Sequence, residues 1–244
     1  GFDSIPHDLG ALYTAQKLQN RGSGPMHIRG YVAAKGSVSG GTWHSLLGFL
    51  GKGRNHKKPV RTSKPRSGPR PRGVHFADDI RRWVTPLPTI DPQVVRRSAE
   101  LAPDPFGENF RYHHYLSTKS FPQLAATLVG VGSIAALAQL GPTRRMLKKL
   151  RPSGDGPNRT QRARNWFKVT FVGTRGRERV VTRVSGGDPG YGETSKMLAE
   201  SALTLVHDRD KLPIQGGVVT TASALGTHLI ARLQAAGIGF EVLD

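Results

Sequence analysis

The sequence predicts an α/β fold of the α+β substrate-domain kind, a mixed or antiparallel sheet packed by helices. Three observations predict it. Met26, Ile28, Gly30 and Val32 alternate with His27, Arg29, Tyr31 and Ala33, the period of a half-buried strand. Phe167, Val169 and Phe171 alternate with Lys168 and Thr170, Gly173-Thr174-Arg175-Gly176 reverses the chain, and Val180, Thr182 and Val184 return it as an antiparallel hairpin. Helical spacing surrounds these strands: Leu9, Leu12, Ala15 and Leu18 early on, and Thr194, Met197, Leu198, Ser201, Ala202 and Leu205 after the hairpin.

The first helix follows Gly1-Phe2-Asp3-Ser4-Ile5-Pro6-His7-Asp8-Leu9-Gly10. Pro6 fits a first helical turn, where its missing N–H costs nothing, and Ser4 or Asp8 is expected to satisfy the orphan donors there. After the first strand, Trp43, Leu46, Leu47 and Leu50 fall at i, i+3, i+4 and i+7, so a helix begins at Ser39-Gly40-Gly41-Thr42. Its free N–H groups can hold a phosphate or carboxylate, or be capped by Ser39 or Thr42.

Residues 51–72 contain nine Lys or Arg, four prolines and no acid, the composition of a basic tether with weak attraction for nucleic acid or anionic lipid. No aromatic interrupts the run, so single-stranded bases have no stacking platform. A short helix is expected from Pro92 to Leu101, where Arg96 and Arg97 either bind an acidic group or face solvent.

From Ser120 to Thr143 no residue is charged, and Arg144, Arg145, Lys148, Lys149 and Arg151 follow. Three glycines, two prolines and two glutamines argue against a membrane span and for a buried helix or a lipid-facing amphipathic segment. A last helix runs from Ala222 to Ala236, ends at Gly237, and leads to a strand at Phe240 to Leu243. These readings divide the chain into 1–50, the basic 51–72, 73–215 and a C-terminal 216–244.

The 244 residues can bury a sizeable core, although only 36% are hydrophobic. The absence of cysteine excludes a disulfide scaffold, a thiolate metal site and a cysteine nucleophile. None of the nine histidines sits in a His-Glu-x-x-His pair, so no metal is expected, and the adjacent His113 and His114 would point to opposite faces of a strand. The formal charge of +19 supports one rival reading, a non-enzymatic basic protein binding nucleic acid or an anionic membrane surface. No sequence-specific nucleic-acid motif accompanies it. Gly130-Val131-Gly132 has dinucleotide-fingerprint spacing, but the region runs on into Pro142 and a basic helix, with Asp155 in a separate glycine and proline loop, where a true site needs an acid at the end of a second strand.

The opening decamer resembles the Gly-Phe-Asp-Ser-(Ile/Val)-Pro-Ser-Asp-Leu-Gly segment of the saccharopine-dehydrogenase-like oxidoreductases, which include trans-acting enoyl reductases. Ile90-Asp91-Pro92-Gln93-Val94-Val95-Arg96-Arg97-Ser98, Phe106-Gly107-Glu108-Asn109-Phe110-Arg111-Tyr112, Gly154-Asp155-Gly156-Pro157, Tyr191-Gly192-Glu193-Thr194 and Gly216-Gly217-Val218-Val219-Thr220 continue the resemblance in order. His7 stands where serine is usual and Thr221 where proline usually starts the last helix.

The resemblance implies an enzyme using NADP or NAD bound mainly by a Rossmann-like domain ahead of this chain, to which the last helix and strand return. The chain alone is then expected to be inactive. Gly1, Asp3 and Ser4 would edge the nicotinamide, and Ser39, Gly40, Gly41, Thr42, Arg96 and Arg97 the substrate. Tyr191 is the candidate catalytic proton donor, since a phenol can protonate beside a developing enolate, although an aromatic there can also simply pack at a helix entry. An acyl, lipid or polyketide-type substrate, a homodimer, weak membrane-surface contact and a cytoplasmic, membrane-peripheral location complete the expectation.

Overall fold

The computed structural model describes residues 2, 4–36, 40–51, 71–150, 152, 156–213 and 216–243. Along it run α1 (Ile5–Leu18), β1 (Met26–Lys35), α2 (Gly40–Gly51), β2 (His75–Ala77), β3 (Arg82–Pro86), α3 (Asp91–Leu101), α4 (Pro103–Phe106) and β4 (Arg111–Thr118). There follow α5 (Phe121–Gln139), α6 (Gly141–Lys149), α7 (Arg159–Ala163), β5 (Trp166–Arg175), β6 (Glu178–Gly186), α8 (Gly192–His207), α9 (Thr221–Ala224), α10 (Gly226–Ala235) and β7 (Gly239–Val242).

The strands form one sheet ordered β2-β3-β4-β1-β5-β6-β7. It is mixed: β1 pairs parallel with β4 and antiparallel with β5, and the other pairings are antiparallel. The hairpin is present with a tighter turn than the sequence suggests. Arg175 pairs with Glu178, so the chain reverses at Gly176 and Arg177, with Gly176 in the left-handed region at φ +60.

One face of the sheet carries the main core. Ile28, Phe167, Val169, Phe171, Val180 and Val184 point into it against Leu9, Leu12, Ala15 and Leu18 of α1. The helix approaches very closely, because Gly10 and Gly173 leave no side chain in the way. A Cβ on Gly10 would collide with the Phe171 ring, and one on Gly173 would come within 2.7 Å of both Thr14 and Leu18.

The second face is covered by the β2–β3 turn. Asp79 in that turn meets Arg29 of β1 at 2.8 Å and Arg179 of β6 at 3.7 Å, above a small cluster of Tyr31, Tyr115, Val172 and Val181.

A third cluster stands apart from both faces: Leu47 of α2, Ala138 of α5 and Leu147 of α6, with Trp43, Leu50 and Ile134 packed around them. The uncharged 120–143 stretch is therefore helical but not a buried helix. Only Leu124 and Ala138 of α5 are buried, and Val129 and Val131 are 69% and 60% exposed. Gly130 and Gly132 lie in mid-helix, where no strand-to-helix phosphate turn exists.

Two further expectations change. The buried stripe of α8 is Glu193, Met197 and Thr204, while Leu198 and Leu205 face outward. The last helix is broken at Leu225 and Gly226, where Gly226 takes φ +50, giving α9 and α10. β7 bonds β6, so the closing strand lies at the edge of this chain's own sheet, and α10 packs on α8.

Candidate functional site

The sheet end at which β1 leaves and α1 and α8 begin collects most of the distinctive stretches of the sequence. The backbone N–H of Phe2 donates to Thr194 Oγ1 at 3.0 Å, tying the opening turn to the first turn of α8. A Cβ on Gly36, just beyond β1, would come within 3.1 Å of Pro189, and one on Gly156 within 2.6 Å of the Tyr191 hydroxyl. The turns around Phe2, Gly36, Gly156 and Tyr191 thus converge.

The loop ahead of α8 is closed upon itself. Asp188 Oδ2 accepts from the N–H groups of Tyr191 (2.7 Å) and Gly192 (3.1 Å), and Oδ1 from Asn165 Nδ2 (2.5 Å). Burial pushes this carboxyl up, but those bonds and nearby Arg162 outweigh it and hold it below its usual range. The positive end of α8 is therefore filled by the chain's own carboxylate, so this glycine-rich loop leaves those two N–H groups no vacancy for a phosphate.

Beneath the opening turn lies a buried polar cluster. Neither Ser4 nor Asp8 caps α1 with its side chain; both reach elsewhere. Ser4 Oγ donates to Asp91 Oδ1 at the start of α3 (3.4 Å), while Asp8 accepts from Ser98 Oγ, from Thr221 Oγ1 (2.8 Å) and from the Ala222 N–H (2.7 Å). Asp8 thereby caps α9 and joins it to α1 and α3. Burial raises its carboxyl above the ordinary range, and the three bonds only partly offset this. Thr221, standing where proline is usual in the resemblance, contributes one of those bonds.

Beside this knot, His7, Asp91 and His114 come together, each only 2–3% exposed. His7 Nδ1 is 3.8 Å from Asp91 Oδ1, and His114 Nε2 is 3.5 Å from Asp91 Oδ2. The two imidazoles meet edge to face at 4.7 Å, and Phe2 closes over His7 at 5.7 Å. Tyr112 Oη hydrogen-bonds His114 Nδ1 at 3.0 Å, and Thr89 Oγ1 donates to Asp91 Oδ2 at 2.5 Å. Burial, helped by His7 and opposed by Asp91, lowers His114 to about 3, so it is neutral at ordinary pH; burial also lifts Tyr112 well above its usual value. His113 points the other way, to the opposite face, where His27 Nε2 lies 2.9 Å from its Nδ1.

The expected site residues divide accordingly. Ser4 and Tyr191 belong to this sheet end, Ser4 in direct contact with the cluster. Gly40, Gly41 and Thr42 form the first turn of α2. Arg96 and Arg97 stand off the buried face of α3, which is Asp91, Val95 and Ser98, and Arg97 pairs with Glu100 at 3.4 Å, half-exposed. Gly1, Asp3, Ser39 and residues 52–70 of the basic run lie outside the described residues. Sequence reasoning missed His7, Asp91 and His114 as a group; the one local signal was a histidine at position 7 where serine is usual. A shallow cleft of about 230 Å³ between α1, α4 and α9, lined by Leu12, Gln16, Asp104 and Ser223, adjoins the α9 side of the Asp8 knot through Ala222 and is not lined by His7, Asp91 or His114.

No family model matches the chain. Individual relatives do. A protein of Mycobacterium tuberculosis named as a trans-acting enoyl reductase is 32% identical over 99% of this chain and 65% of its own length. A trans-acting enoyl reductase of Mycobacterium ulcerans is 29% identical over 98% of the chain and 65% of its own, and a saccharopine dehydrogenase-like oxidoreductase of Bos taurus 28% over 100% and 64%. The chain thus spans just under two thirds of the length of these relatives. Over nearly its whole length the chain is therefore homologous to proteins named as trans-acting enoyl reductases and saccharopine dehydrogenase-like oxidoreductases.

Proposed function

We propose that this chain is the substrate-binding part of an NAD(P)-dependent oxidoreductase that reduces an enoyl or related double bond in a lipid or polyketide-derived substrate. The carrying observation is the convergence of Phe2, Ser4, Gly36, Gly156, Tyr191 and Thr194 at one sheet end, in a chain related along its whole length to proteins named enoyl reductase. The nicotinamide, when bound, supplies hydride. The chain's share is to orient the acceptor, exclude water and deliver a proton, for which Tyr191 is the candidate donor.

The cofactor is held mainly by residues outside this chain. The one fingerprint-like glycine pair among the described residues is inside α5, and the N–H groups at the start of α8 are taken by Asp188. A second reading concerns location. The outward apolar side of α5 continues into α6, whose Arg145, Lys148 and Lys149 are exposed, and no acid occurs between Asn109 and Gly154. An apolar surface beside cations fits an anionic membrane surface or the acyl chain of a substrate presented from one.

Calorimetry of the 244-residue chain with NADPH tests the cofactor assignment: weak or undetectable binding is expected, and micromolar affinity overturns it. In a protein that also carries the remaining length of its relatives, Ser4→Ala and Tyr191→Phe are expected to lower turnover on an enoyl substrate, with cofactor affinity unchanged for Tyr191→Phe. Wild-type turnover in both variants would remove this sheet end from the reaction.

A further inference from the structure

The buried trio beneath the opening turn has a composition and spacing that the reductase reading leaves unused. His7 comes from the first turn of α1, Asp91 from the start of α3 and His114 from β4, so three separately anchored elements present one donor atom each. These atoms all lie within 4.8 Å of one another, and the two pairs that face each other are 3.8 and 3.5 Å apart. In a tetrahedral site with bonds of about 2.0–2.1 Å, neighbouring donors stand roughly 3.4 Å apart. The His114–Asp91 pair already meets that spacing, His7 to Asp91 needs slight contraction, and the widest pair, within 4.8 Å, closes as the side chains turn onto the ion.

We propose that His7 Nδ1, Asp91 and His114 Nε2 form a binding site for a divalent transition-metal ion of the zinc class. His114 supports it most directly. Its Nε2 is buried, makes no hydrogen bond, and faces a carboxylate oxygen at 3.5 Å. A buried nitrogen left so costs free energy unless something sits between it and the carboxylate. The opposite nitrogen, Nδ1, is held by the Tyr112 hydroxyl, the outer contact that fixes the ring orientation of a ligating imidazole. In the tautomer whose Nδ1 proton is donated to Tyr112, the Nε2 lone pair faces Asp91 and is available to a cation between them.

Asp91 is likewise braced from outside the trio, by Thr89 Oγ1 on one oxygen and Ser4 Oγ on the other. Nitrogen and oxygen donors with no thiolate suit zinc, and equally cobalt as its spectroscopic stand-in.

Chelator-treated wild-type chain titrated with Co²⁺ tests this. One equivalent is expected to bind with the visible absorption of a four-coordinate ion, to be displaced by Zn²⁺, and to raise Tm. His114→Gln and His7→Ser, the latter restoring the residue usual at that position, should abolish the absorption; Tyr112→Phe should weaken binding about tenfold to a hundredfold. Melting curves of the metal-free variants show whether each folds. Wild-type chain that takes up no stoichiometric cobalt or zinc overturns the proposal whatever the variants do, as does an unchanged spectrum in folded His7→Ser.

Discussion

The region around Asp8 and the region around α5 invert the ordinary rule in opposite directions. Around Asp8 a carboxylate, two histidines, a second aspartate and several hydroxyls are buried within the main core. Along α5 valines and leucines stand in the open, with about a tenth of the helix buried. The first inversion is satisfied internally: Asp8 accepts three hydrogen bonds from α3 and α9. The second is not, since α5 touches α2, α6 and the ends of β3 and β4 but keeps one apolar side outward. A buried polar group that is bonded specifies a structure, whereas an exposed apolar face specifies a missing contact.

If that contrast is right, the largest loss of stability comes from Asp8→Ala. The truncation strands a buried N–H and two hydroxyls that now donate to it, at about 1–3 kcal/mol for an unsatisfied buried donor. Because the hydroxyls can turn to other acceptors, about 3 kcal/mol in total is expected, measured by urea denaturation. A loss below about 1 kcal/mol would mean that the knot is incidental to holding α9 against α1 and α3.

The next effect is smaller and comes from the opposite face of the sheet. Burial, aided by His113, Arg29 and Arg111, lowers His27 to about 4 from its usual 6.5. Between those two pH values the unfolded chain takes up a proton that the folded chain refuses, so stability falls as pH drops from about 6.5 towards 4. His27 is partly exposed, which softens the effect. Replacing it by glutamine should flatten this limb of a Tm-against-pH curve, and an unchanged limb would place the acid sensitivity elsewhere.

The sequence showed these regions unequally. The β1 alternation and the β5–β6 hairpin were legible because one face of each is apolar, so period two appears directly in the residues. The start of α2 was legible from Trp43, Leu47 and Leu50, which do pack together. β4 was not, because Arg111 to Thr118 reads as polar, and its parallel place beside β1 depends on partners more than seventy residues away. His7, Asp91 and His114 were hidden for the same reason: three segments remote in sequence meet only when α1 and α3 settle on the sheet. Ser4 and Tyr191 could be singled out because a loop motif is local, whereas Asp8 was assigned to the wrong helix because a cap reads the same whether it serves its own helix or another.

The smallest effect on stability, and the sharpest test of the contrast, belongs to α5. Val129 and Val131 lose little surface to the fold, so Val129→Ser with Val131→Ser removes almost no buried apolar area. Melting should therefore change little, within about 0.5 kcal/mol, as for surface substitutions generally. Retention on vesicles containing anionic lipid should fall, because these side chains are the most exposed apolar groups of α5, the helix that leads directly into α6 and its exposed cations. Neutralising Lys148 and Lys149 should weaken the same retention in a salt-dependent way, whereas the valine substitutions should act at every salt concentration. If the double valine variant instead loses several kcal/mol, α5 is held by contacts within the fold, and its apolar side is part of the core. Unchanged stability together with unchanged retention would leave the exposed face without a lipid role.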